Sequence, residues 1–266
     1  MKSAIKVITF ADLTFILCLI FSGACEGIIS EILYYFAYAL PILMLLSFIG
    51  SGKAQAGEIS LSISKEKIKS SLLLIFPSVA ITALVAYLTS LLMGAFGFSP
   101  TVITDEPIYL ALVTHALLPA MLEEILFRYL PIRIMSPYSK RLAIVLSAAA
   151  FSLCHTNLFQ IPYAFLAGLL LGYVTIHSGS IIPAFVIHFI NNALSVVTML
   201  YPDLSLWIFI SLGALALISV LVIVLLRACY KDIKGIFKRG EDEELSFAPI
   251  ALIALSLFIA ITSLIK

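Results

Sequence analysis

Apolar runs long enough to cross a lipid bilayer recur through this chain, near 7–24, 31–50, 70–94, 108–131, 141–158, 160–177, 180–200, 205–228 and 247–264. A span needs about 17 to 25 apolar residues at a rise of about 1.5 Å each. In hydrocarbon every backbone N–H and C=O must find its partner within the structure, and a helix does this inside a single segment. The chain is therefore read as an all-α, polytopic membrane protein, a bundle of eight to nine transmembrane helices forming one membrane domain over 1–266. No polar stretch is long enough to hold a separate globular unit. Composition agrees: 62% of the residues are apolar and 12% charged, against about 45–50% and 25% in soluble domains.

The placement of charge sets the orientation. With the N-terminus in the cytoplasm, nine spans put Lys2 and Lys6, then Lys53, Lys65, Lys67 and Lys69, then Arg133, Lys140 and Arg141, then Arg227, Lys231, Lys234, Lys238 and Arg239 on the cytoplasmic side. That is the positive-inside pattern. The opposite loops hold Glu26, Glu31, Asp105, Glu106 and Asp203 but no Lys or Arg, and Lys266 at the C-terminal edge is the one basic residue outside. Compact loops and this asymmetry favour the plasma membrane of a prokaryote. A net charge of +1 gives no reason to expect nucleic acid as a partner.

Two features could mislead. Lys2 and Lys6 before an apolar run, with Ser-Gly-Ala-Cys at 22–25, resemble a signal or lipoprotein peptide. Asp12 interrupts that run and eight more apolar segments follow, so the first span is expected to be retained. Cys18, Cys25, Cys154 and Cys229 show no C-x-x-C spacing. Cys154 adjoins His155, but neighbours on a helix point about 100° apart, so they make no nucleophilic dyad. The polar segments 51–69 and 230–246 read as cytoplasmic loops, with the lysines of the first meeting anionic headgroups.

Ionisable residues inside apolar spans are costly, about 2.5 kcal/mol or more on insertion scales, so they point to function. They fall in three consecutive segments. In Glu123-Glu124-Ile125-Leu126-Phe127-Arg128, the i, i+4 spacing puts Glu124 and Arg128 on one face, where they can pair. Glu123 lies about 100° round the helix and is left free. A paired carboxylate and a separate buried one suit an acid/base division of labour. Phe151 and His155 stack at i, i+4, so the aromatic can hold the imidazole. His188 and Asn192 also share a face and offer two donors in one direction, which is the equipment for holding an oxyanion. His115 and His177 show no partner in the sequence and read as packed histidines. Depth agrees in part. Glu123 and His188 both fall ~12–15 Å below the cytoplasmic surface and can meet, whereas His155 lies ~21 Å along a straight helix from Arg141.

In order and spacing these residues resemble the CPBP (ABI) family of intramembrane proteases, which includes CAAX prenyl endopeptidases of the Ras-converting type. The patterns E-E-x-x-x-R, F-x-x-x-H and H-x-x-x-N are matched by Glu123-Glu124-…-Arg128, Phe151-…-His155 and His188-…-Asn192. Residues 108–200 would form the catalytic core. The resemblance implies about eight helices around a conical intramembrane cavity and a glutamate-activated water. Glu123 would be the general base, His155 would help to hold the water, and His188 and Asn192 would stabilise the oxyanion. Arg128 with Glu124 would fix the site. The substrate would be a membrane-associated protein or peptide, prenylated or not, with no cofactor and no metal required. Three other classes fit some of the residues: a zinc peptidase, which two His and a carboxylate could supply; an ion-coupled transporter; and a non-catalytic scaffold or immunity-type membrane protein. The absence of H-E-x-x-H counts against the first, and the absence of an inverted repeat against the second.

Overall fold

The computed structural model describes residues 1–53, 56–97, 106–155 and 160–226. Eight helices run in order: α1 (Lys2–Gly23), α2 (Gly27–Gly50), α3 (Lys65–Ala95), α4 (Ile108–Met135), α5 (Lys140–Leu153), α6 (Gln160–Ser178), α7 (Ile182–Leu200) and α8 (Pro202–Leu226). No strand occurs among the described residues, as the apolar runs require.

Six of these helices are long and apolar enough to cross a membrane: α1, α2, residues Leu74–Ala95 of α3, α4, α6 and α7. The eight to nine spans read from the sequence are therefore not reached among the described residues. The run at 141–158 accounts for part of the difference. Its helix, α5, has 14 residues and spans ~21 Å, short of the ~30 Å hydrocarbon core. The expected span 247–264 and the loop 230–246 lie outside the described residues.

The chain forms two compact units that alternate in sequence. It passes between them after Ile59, within α4 after Glu124, and within α6 after Gly172. The first unit holds Met1–Ile59 and Ile125–Gly172. Between α1 and α2 the Ser22 and Ser30 hydroxyls each donate to the other residue's carbonyl, both at 2.9 Å. A run of edge-on rings links Tyr38 to Phe15 (4.8 Å), Phe15 to Phe127 (5.4 Å) and Phe127 to Phe151 (5.9 Å). In α6, Gly168 and Gly172 sit one turn apart. Gly168 faces Ala148 and Gly172 faces Ile144 on α5. Small residues at this spacing let two helix backbones approach closely, which is how membrane helices gain packing without a hydrophobic drive. At the start of α5, Ser139 Oγ accepts from Leu142 N at 3.1 Å, satisfying one of the orphan first-turn donors.

The second unit holds Ser60–Glu124 and, among the described residues, 173–226. Here α3 packs on α7 and α8. The Asn191 amide donates to Thr82, and Tyr87 stacks on Phe209 with centroids 4.0 Å apart. Ala111, Ala116 and Val196 form a small apolar core with Phe189 and Ala193 beside it. Gly179, at φ +67°, turns the chain from α6 into α7, a conformation that glycine adopts without strain.

The polar segment 51–69 is more fixed than a solvated loop. In the first unit Gly57 N donates to Arg133 O at 2.7 Å and Arg133 Nε donates to Gly57 O at 3.3 Å. In the second unit Ser60 N donates to Gly179 O at 2.9 Å and Ile181 N to Ser60 O at 3.1 Å.

Candidate active site

The helix that carries the paired glutamates is not a regular one. Two π-helical stretches, Leu112–Leu117 and Ile125–Tyr129, interrupt α4. Each π-turn replaces i→i+4 bonding with i→i+5, a local irregularity found often at functional sites. The second begins directly after Glu124 and contains Arg128.

In the second unit, His188 projects from α7 to both carboxylates. Its Nδ1 lies 2.8 Å from Glu124 Oε1, and its Nε2 lies 3.5 Å from Glu123 Oε2. His188 and Glu124 are both buried, at 6% and 1% exposure. A carboxylate oxygen accepts, so at 2.8 Å the Nδ1–H donates to Glu124 Oε1. That bond fixes the ring's orientation and commits Nδ1, so that Nε2 is the nitrogen facing Glu123, as a carboxylate orients histidine in other catalytic sites. The 3.5 Å on the Glu123 side exceeds the usual range of a direct N–H···O bond.

The imidazole reaches Glu123 as well as Glu124. The two carboxylates do differ in environment, and His188 marks the difference, bonded closely to one and spaced from the other. Glu123 and His188 meet, as their similar depths allowed. Asn192, expected to act beside His188, is partly exposed and makes no side-chain hydrogen bond among the described residues. Its neighbour Asn191 is buried at 8% exposure and bonded to Thr82, and the sequence reading passed over it.

In the first unit, Arg128 is fully buried and its guanidinium carbon lies 3.8 Å from the centroid of the Phe151 ring. A cation this close over an aromatic face is attracted by the ring's quadrupole, by up to about 2 kcal/mol or more when desolvated. Phe151 in turn meets His155 edge-on, with centroids at 4.7 Å and an interplanar angle of 82°, rather than stacked. His155 lies in the turn just beyond Leu153, the last residue of α5, and not within a span. Its Nδ1 lies 2.8 Å from Phe151 O. A carbonyl only accepts, so Nδ1 carries the proton and Nε2 is the basic nitrogen of the neutral ring. Ser147, wholly buried, donates to Phe127 O inside the π-helical stretch. Gly168 completes the surround: a Cβ there would lie 3.3 Å from Arg128 Nη2.

The two histidines read as merely packed also have neighbours. His115 Nε2 lies 3.1 Å from Glu106 Oε2, and Thr114 donates to the other oxygen of that carboxylate at 3.3 Å. His177 stacks on Tyr173 at 5.7 Å.

Residues 105–194 match the family model of type II CAAX prenyl endopeptidases, Rce1-like. This segment, about a third of the chain, is similar to that family. The Rce1-like segment contains all six candidate residues, Glu123, Glu124, Arg128, His155, His188 and Asn192, and its family is one of endopeptidases. With six apolar helices of spanning length, the chain is an integral membrane protein. No curated protein and no solved structure matches the chain.

Proposed function

We propose that the chain is an intramembrane endopeptidase in which Glu123 activates a water molecule to hydrolyse a peptide bond of a membrane-associated polypeptide. The observation that carries this is His188 set between two carboxylates, 2.8 Å from Glu124 and 3.5 Å from Glu123. Glu123 takes a proton from the water as its oxygen attacks the carbonyl carbon. The tetrahedral oxyanion is held by donors on α7, the Asn192 amide and the Nε2–H of His188 with its ring protonated at both nitrogens. Glu123 then returns the proton to the leaving amine as the C–N bond breaks. Glu124 positions His188. By the family pattern, Arg128 secures the site and His155 helps to hold the water.

The substrate class follows from the family: a polypeptide anchored in the bilayer, either a prenylated CAAX C-terminus or an unprenylated membrane peptide. The positive-inside pattern supports an N-terminus in the cytoplasm, and with the compact loops it favours the plasma membrane of a prokaryote. The test is cleavage of a prenylated CAAX reporter, its unprenylated counterpart and a membrane-peptide library by the purified protein, with and without a strong zinc chelator. Cleavage indifferent to chelation and lost in Glu123→Gln is the expected result. Loss on chelation, restored by Zn²⁺, would replace this reading with a metallopeptidase.

A further inference from the structure

Asn191 follows His188 by three residues on α7 and lies outside the motifs that carry the family pattern. It is 8% exposed, and its Nδ2 donates to Thr82 Oγ1 on α3. The identity of that nitrogen is settled by Thr82 itself. Thr82 Oγ1 lies 2.7 Å from Ser78 O and 3.1 Å from Val79 O. Its single proton is therefore committed to a backbone carbonyl, and it offers only lone pairs to Asn191. The amide must turn its N–H toward Thr82. Its carbonyl oxygen is left buried, with no hydrogen-bond donor among the described residues. A buried acceptor without a donor is costly, and in a folded protein each such group calls for an explanation.

Its position supplies one. Three residues along a helix is a rise of about 4.5 Å, and an extended polypeptide advances about 3.3–3.6 Å per residue. An acceptor at Asn191 is therefore spaced to meet an amide one or two residues from a peptide bond held at His188. We infer that Asn191 binds substrate, its Oδ1 accepting a hydrogen bond from a backbone N–H one or two residues from the scissile bond. Thr82 is then a positioning residue that keeps the amide turned the right way. The inference rests on the peptidase reading. A resident water could supply the same kind of donor, and the experiment separates the two sources.

The test uses full-length purified protein and a peptide that it cleaves, with each backbone N–H near the scissile bond replaced in turn by an ester oxygen. The wild type should lose about tenfold in kcat/KM, through KM, at one of the nearest positions, the size expected for one lost hydrogen bond. Asn191→Leu should show that loss already with the all-amide peptide and no further loss with that ester. Thr82→Val should blunt the ester penalty, and Thr82→Ser, which keeps the hydroxyl, should restore it. If Asn191→Leu does not fold, the Thr82 pair carries the same comparison. Ester penalties equal in wild type and variants at every position would overturn the inference and assign the acceptor to a water. Glu123→Gln serves as the control: a large loss of cleavage in that variant, together with ester penalties alike in wild type and Asn191→Leu, sinks this inference alone, while wild-type cleavage by Glu123→Gln sinks the peptidase reading and this inference with it.

Discussion

Adding one methyl group to α6 should separate its two interfacial glycines. A Cβ at Gly168 would lie 2.8 Å from Ala148 Cα and 3.0 Å from Ala148 Cβ, while at Gly172 the nearest atom would be Ile144 Cγ2 at 3.2 Å. The first clash is with backbone and the second with the end of a side chain. Ile144 can turn its methyl aside; Ala148 Cα moves only if α5 and α6 part. Overpacking costs about 1–3 kcal/mol, and replacing a helical glycine by alanine returns about 0.8–1 kcal/mol in helix propensity. Gly168→Ala belongs at the top of the overpacking range, a net loss of about 2 kcal/mol. Gly172→Ala should stay within about 1 kcal/mol of wild type in either direction. Because the closest contact is a Cα, Ala148→Gly should rescue Gly168→Ala only in part. Equilibrium unfolding in mixed detergent micelles measures all three. A Gly168→Ala protein as stable as wild type, or Gly172→Ala equally damaged, would refute the close α5–α6 approach.

Other substitutions test the supports of the site. Ser147→Ala leaves the buried Phe127 carbonyl without the hydroxyl that donates to it, and should cost about 1–3 kcal/mol in the same unfolding assay. No change would mean that the carbonyl is otherwise satisfied. Glu124→Gln keeps an acceptor for His188 Nδ1–H, so kcat should fall by about 10- to 100-fold, as for other groups that orient a functional histidine. Glu124→Leu removes the acceptor and should fall further. Steady-state kinetics of the pair would contradict the orienting role if the two variants were equally active.

The long apolar helices and the motif residues were legible because both are periodic: span length follows from bilayer thickness, and the motifs repeat at one helical turn. Eight of the expected runs correspond to helices among the described residues. The length of α5 was not legible, since Cys154 and His155 continue an apolar run that the chain nonetheless ends in a turn after Leu153. Nor were the π-helical stretches, because leucine, alanine and isoleucine suit i→i+4 and i→i+5 bonding alike. Gly168 and Gly172 carried a readable signal, the four-residue spacing of small residues, which was missed. The contacts of Glu106 with His115 and of Thr82 with Asn191 join residues 9 and 109 positions apart. The first was within reach of a careful local reading; the second depends on which helices become neighbours, and no local pattern encodes that. Asn192 shares the i, i+4 face with His188, which the sequence displays, whereas the burial of Asn191 is not written in any local pattern.

The most direct test of the proposed chemistry is a double-mutant cycle on cleavage by wild type, Glu123→Gln, His188→Ala and the double variant, with folding checked for each. Groups that serve one transition state are not additive. Each single substitution should lower kcat/KM by about 10²–10⁴, and the double variant should be little worse than either. Retained cleavage by Glu123→Gln, or losses that simply multiply, would contradict a glutamate and a histidine acting together on one water.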